Sequence, residues 1–145
     1  MVSIQGEKTE VIYGTSSVLN TEIQFFSNAS LKIDTCVDYT HPSLALGNES
    51  IRKSFLDAKG RDVKLRYITE ITTENISYCK ELMKIADVRH LDGIKGNFMI
   101  SEKEYLAPAV SNNISNIASR IIYSNLHEIV EQQQYIFETL WSKAK

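Results

Sequence analysis

A three-layer α/β/α sandwich built on a mixed sheet is the fold class that this 145-residue sequence predicts. Two observations carry the prediction. Segments of strand-like and helix-like periodicity follow each other in the order β-α-β-α-β-α-β-β-β-α. The stretch "GNFMISEKEYLAP" reads as a hairpin turning near Glu102 and Lys103, which makes the sheet mixed rather than wholly parallel.

The elements follow in order. After a polar start, "EVIYG" (Glu10 to Gly14) reads as a short strand. Thr15 or Ser16 then caps a helix whose Leu19, Ile23 and Phe26 share one face. "LKIDTCVDY" alternates with period two: Leu31, Ile33, Thr35 and Val37 face one way, and Lys32, Asp34, Cys36 and Asp38 the other. "THPSLALGN" is expected to be a loop, because Pro42 and Gly47 interrupt any regular pattern. A helix follows from about Glu49 to Lys59, with Ile51, Phe55 and Ala58 inward and Gly60 as its stop. "VKLRYITE" (Val63 to Glu70) is the clearest strand. Thr72 or Thr73 is expected to cap the next helix, with Ile76, Cys79, Leu82, Met83 and Ala86 in the core. "VRHL" is a short strand before the hairpin, "SNNISNIAS" a polar loop, and "RIIYS" the last strand. A long helix runs from about Asn125 to Ala144. The expected organisation is a flexible tail over residues 1–9 and one domain over 10–145.

Composition narrows the function classes. Sixteen basic side chains face 18 acidic ones, with no Lys/Arg cluster, so no nucleic-acid partner is expected. No apolar run approaches the roughly 18 residues of a membrane span, and "MVSIQGEKTEV" lacks the apolar core of a signal peptide. A cytoplasmic protein without membrane contact is the expectation. Cys36 and Cys79 lack CxxC spacing and read as buried reduced thiols. The N-x-S sequons at Asn28, Asn48, Asn75 and Asn113 carry little meaning without a secretory signal. Neither a cofactor nor a metal is expected, since His41, His90 and His127 show no ligand spacing.

The succession of "KIDTCVDY", "SFLDAKGRDVKLRYITEIT", "VRHLDGIKGNFMISEKEYLA" and "IIYSNLHEIVEQQQYIFETLWSKA" resembles the phospholipase D-like fold. It is most similar to the sensor domain that precedes some archaeal (thaumarchaeal-type) signal-transduction histidine kinases. The resemblance runs from about Glu10 to Lys143. It implies a domain that senses a small-molecule or protein signal and passes a conformational change to kinase domains in cis, as a homodimer. The full-length protein would then be a two-component histidine kinase.

Active phospholipase D-like enzymes carry H-x-K-x4-D, whose histidine is the nucleophile and whose lysine binds phosphate oxygens. His90 is followed by Leu91 and Asp92, so its lysine slot holds aspartate. On "IKGNFMISE" the motif slots fall on Ile94, Gly96 and Ser101, or on Lys95, Asn97 and Glu102. Neither register unites histidine and lysine, and the domain is expected not to be an enzyme. His127 opens "HEIV" but lacks the downstream pattern of a phosphoacceptor box, and it reads as a surface residue.

Ligands of open α/β sheets favour the carboxyl ends of the strands. Reading off those ends gives Asp38, Tyr39, Glu70, Tyr123 and Asn125, with His90 ending the short strand and Lys95 and Asn97 on the hairpin strand that takes the place of the enzymes' motif strand. Arg66 shares a strand face with Glu70, and Asp34 with Asp38. These residues form either a polar pocket for a small anionic ligand or an internal ion-pair network, with Asp34 and Arg66 as the structural pair. On the last helix Leu126, Ile129, Val130, Gln133, Phe137, Leu140 and Trp141 form an apolar stripe, widened by Tyr135 and Ile136. The stripe packs on the sheet, and its C-terminal turn is the expected signal output. The alternatives are a phospholipase D-like phosphodiesterase working around His90, Lys95 and Asn97, and the effector domain of a transcription regulator.

Overall fold

The computed structural model describes residues 6–109 and 118–145. Along the chain run β1 (Thr9–Tyr13), α1 (Thr15–Asn28), β2 (Lys32–Cys36), α2 (His41–Gly47), α3 (Glu49–Gly60), β3 (Lys64–Thr69) and α4 (Ile76–Leu82). Then come β4 (Asp87–His90), β5 (Phe98–Ser101), β6 (Tyr105–Pro108), β7 (Arg120–Ser124) and α5 (His127–Lys143). The strands form one seven-stranded sheet in the order β1-β7-β6-β5-β2-β3-β4. β2, β3 and β4 are parallel, while the β2–β5, β5–β6, β6–β7 and β7–β1 pairs are antiparallel. The sheet is therefore mixed, as the hairpin predicts.

Period-two alternation builds the layers. On one face Ile33, Val37, Leu65, Tyr67, Leu106 and Ile121 pack against Val18, Phe25 and Phe26 of α1, Ile51, Phe55 and Ala58 of α3 and Leu82 of α4. Phe26 and Phe55 meet edge to face, 4.7 Å between centroids, a geometry that adds to area burial. On the other face Cys36, Ile68, Phe98 and Ile100 pack against Val130, Phe137 and Trp141 of α5. Cys36 and Cys79 are buried free thiols, and burial pushes the Cys36 thiol up to about 12. Among the described residues no helix is long and apolar enough to cross a membrane.

Several local expectations are corrected. The segment expected to be a loop around Pro42 is helix α2, which buries Pro42 and Leu46. Proline in a first helical turn forfeits no intrahelical bond, so it starts this helix rather than breaking it. Asn48 separates α2 from α3 and caps the latter, its Oδ1 accepting from the Ile51 N–H at 3.1 Å. α1 begins after Gly14 (φ 94), without a side-chain cap from Thr15 or Ser16. Thr72 does not cap α4 directly; its Oγ1 accepts from the Asn75 N–H, and Asn75 Oδ1 accepts from the Thr72 N–H. Ile76 and Met83 are exposed instead of lying in the core, because α4 is short and fully buries only Cys79 and Leu82. Tyr135 and Ile136 likewise face outward. β1 starts at Thr9, inside the expected tail. Most of the expected polar loop, 111–119, lies outside the described residues.

Candidate functional site

The parallel strands β2, β3 and β4 deliver their carboxyl ends to one edge of the sheet, and β5 begins there. Asp38 organises this edge. Its backbone N–H donates to Asn97 Oδ1 at 2.8 Å, and Asn97 Nδ2 donates to Asp38 Oδ2 at 3.3 Å. Thr40 donates to Asp38 Oδ1 from its amide (2.9 Å) and its hydroxyl (2.5 Å), and Thr69 Oγ1 donates to the Asp38 carbonyl. His41 Nδ1 lies 3.5 Å from Asp38 Oδ1. The His41 imidazole, joined by the Thr40 donors, holds the Asp38 carboxyl well below the usual carboxylate range.

Asn75 ties the neighbouring loops together. It is buried, and its Nδ2 donates to the carbonyls of Tyr39 and Glu70, both at 2.9 Å. Glu70 Oε1 accepts from the Gly93 N–H. Gly93 (φ 68) and Gly96 (φ 83) give the loop from β4 to β5 its left-handed turns. His90 Nδ1 accepts from the Ile71 N–H at 2.9 Å, which places the ring proton of the neutral imidazole on Nε2, facing Asp92 Oδ1 at 2.7 Å. The backbone of His90 also exchanges two hydrogen bonds with Lys145, joining this edge to the end of α5. Lys95 is exposed and forms no ion pair among the described residues. Tyr39, in the segment between β2 and α2, is half exposed.

Asp38, Tyr39, Glu70, His90, Lys95 and Asn97 thus share the edge predicted for them. The other three do not. Arg66 sits earlier on β3 and faces α5, where it grips the fully buried Asp34 through two bonds of 2.9 Å and reaches Glu138. Gln134 bridges Asp34 and Glu138, and Lys32 adds a second cation. Burial opposes ionisation of Asp34, yet the Arg66 fork and the Gln134 amide hold its pKa down. The Arg66 guanidinium also stacks over Phe137 and Trp141. Tyr123 and Asn125 stand at the opposite edge, because β7 runs antiparallel to the β2 direction and carries its carboxyl end away.

The motif slots are equally informative. Asn97 is bonded to Asp38, as above. Glu102, across the sheet, accepts from the backbone N–H groups of Ser30, Leu31 and Lys32. Burial resists its ionisation, but those donors bring its pKa down to about 2. His127 is exposed and pairs with Glu131 one turn on. Among the described residues no three His, Cys, Asp or Glu side chains converge as metal ligands would.

The sequence matches no protein-family model and no curated protein. Solved structures do match. Nuc from Salmonella typhimurium, a phospholipase D family member, aligns at TM-score 0.74 and 11% identity over 95% of this chain and 97% of its own. Phosphatidylserine synthase from Haemophilus influenzae Rd KW20 aligns at TM-score 0.71 and 12% identity, over 94% of this chain and 37% of its own. TrmBL2, an archaeal chromatin protein with a novel mode of DNA binding, aligns at TM-score 0.69 and 17% identity over all of this chain. This chain spans 56% of that protein. The fold is phospholipase D-like, an α/β sandwich on a mixed sheet.

Two exclusions are corrected by these likenesses. The absence of an H-x-K pair suggested that the domain is not an enzyme, but the same architecture serves a phosphatidylserine synthase, and that exclusion falls. The balanced charge suggested no nucleic-acid partner, but the likeness to a DNA-binding chromatin protein covers the whole chain. Net charge reports on the surface as a whole, not on a local contact or an attached domain. Sequence reasoning also passed over His41 and Asn75, since one reads as a turn residue and the other as a sequon. The Thr72–Asn75 spacing within a strand-to-helix turn was the available signal.

Proposed function

We propose that this chain is the ligand-recognising effector domain of a cytoplasmic DNA-binding regulator, working as one unit over residues 10–145. A phosphate-bearing ligand docks at the carboxyl edge formed by Asp38, Tyr39, Glu70, His90, Lys95 and Asn97. The observation that carries the reading is the double backbone bond between His90 and Lys145. It makes one residue of the recognition edge also the anchor of the chain leaving α5, so a shift of the β4–β5 loop is felt at that exit. The full-chain likeness to a chromatin protein supports a DNA-binding output in place of the kinase that the resemblance implied. Phosphate chemistry is supported by exposed Lys95 and by likeness to phospholipase D and phosphatidylserine synthase proteins.

A second reading, phosphodiester hydrolysis, is favoured by the His90–Asp92 contact at 2.7 Å beside Lys95. Both readings are separated in one experiment. Phosphate monoester and diester probes should raise the melting temperature of the wild-type chain, because a ligand selective for the folded state stabilises it. Lys95→Ala should lose that shift. Turnover of bis(p-nitrophenyl) phosphate that disappears in His90→Ala would replace the effector reading with the hydrolytic one.

A further inference from the structure

At the edge of the sheet remote from Asp38, a cavity of about 310 Å³ opens between α1 and the paired strands β1 and β7. That volume lies at the small end of ligand pockets. Asn20, Gln24 and Asn28 recur at i, i+4 and i+8 along α1 and line one wall. Glu104 and Tyr123 line another, with Glu10 directly opposite Tyr123 in the β1–β7 ladder.

Two observations give the cavity a chemistry. Glu104 is 7% exposed; its Oε2 accepts from the Tyr123 hydroxyl at 2.5 Å and from Asn28 Nδ2 at 3.4 Å. Its Oε1 is buried with no hydrogen-bond partner among the described residues. A buried carboxylate oxygen left unpaired is costly, so the position calls for a donor, best a charged one. The second observation is the chain's own Lys8. Its ammonium lies 5.5 Å from the Tyr123 ring centroid and 3.5 Å from Glu10 Oε1. The mouth of the cavity therefore already accommodates an alkylammonium, between an aromatic face and a carboxylate.

We infer that this cavity binds a small aliphatic amine, whose ammonium satisfies Glu104 Oε1 while its methylenes lie along Tyr123 and Phe25. A diamine fits best, with the second ammonium reaching Glu10 and displacing Lys8. The alkyl chain suits a wall that mixes Phe25 and Ile12 with amide side chains. Lys8 is then an internal competitor for the outer half of the site. The inference is independent of the recognition edge, and the failure of either leaves the other standing.

Isothermal titration of the whole chain with putrescine tests it, with 1,4-butanediol as the uncharged control. Putrescine is expected to bind and butanediol not to. Glu104→Gln, which keeps the side-chain volume, should weaken putrescine by about tenfold or more. Lys8→Ala should tighten it, a change that a merely structural Glu104 would not produce. Glu10→Ala should weaken it while leaving the buried Glu104 cluster untouched, which covers the case in which Glu104→Gln fails to fold. No binding at millimolar putrescine, equal binding of the diol, or an unchanged affinity in both Glu10→Ala and Lys8→Ala would overturn the proposal and leave Oε1 to a structural water.

Discussion

The two faces on which this sheet gathers charge differ in how completely those charges are closed. Under α5, Asp34 receives Arg66, Gln134 and Lys32, and Arg66 is shared with Glu138 and stacked on two aromatic rings. Every strong group there has a partner from another element, so the network fixes α5 on the sheet. At the carboxyl edge Asn97, Thr69 and Asn75 bond the backbone groups between them, but closure is incomplete: His41 Nδ1 is buried without a hydrogen-bond partner among the described residues. Lys95 stands free of ion pairs among the described residues, and Asp92 and Tyr39 reach solvent. The lesson is that residue type does not separate a closed charge network from an open one. Arg66 and Lys95 were both candidates for the pocket, although only Arg66 had an expected structural partner in Asp34; closure of their surroundings divides them.

Breaking the closed face should have the largest effect. Arg66→Met leaves Asp34 buried with its main cation gone and should cost about 3–5 kcal/mol in urea unfolding. Asn75→Ala comes next, because it strands the carbonyls of Tyr39 and Glu70 and the Thr72 N–H; about 2–3 kcal/mol is expected. A smaller effect of opposite sign is expected at Glu22, on the inner side of α1. Burial raises its pKa from 4.5 to about 7, so the folded state holds this proton more tightly than the unfolded chain. Glu22 is therefore harmless below pH 4.5, weakens the fold increasingly as pH rises from 4.5 to about 7, and does so by a constant amount above that. Glu22→Gln should raise stability on the order of 2 kcal/mol above that window and hardly at all below it, in parallel urea titrations. Lys95→Ala should be the smallest, within about 0.5 kcal/mol of wild type, as befits an exposed side chain outside the closed networks. If Lys95→Ala were as destabilising as Arg66→Met, the comparison would collapse.

The layers were legible because hydrophobic period is a direct consequence of which face a strand or helix buries. Ile33 and Val37 against Cys36, or Ile51, Phe55 and Ala58 on α3, lie where alternation and helical spacing put them. The segment around Pro42 was misread because proline stops a helix only from its interior, and a first-turn proline looks the same in a string of letters. The carboxyl edge was half legible. Strand ends were found, but strand direction was not, and direction alone carries Tyr123 and Asn125 to the far edge. The Asp34–Arg66 pair was legible from the strand faces, and the structure has it; that Arg66 also reaches Glu138 and lies short of the strand ends was not, since Glu138 is 72 residues away. The row of Asn20, Gln24 and Asn28 was passed over, because nothing local signals that a cavity and Glu104 face them.

Residue-resolved amide shift mapping, with inorganic pyrophosphate as the probe, tests the central distinction most directly. The account predicts shifts confined to Asp38–His41 and His90–Asn97, extending to Ala144 and Lys145 through the His90 pair, with Asp34, Arg66 and Gln134 unmoved. Shifts centred on Arg66 and Glu138, or no shifts along the carboxyl edge at all, would contradict it.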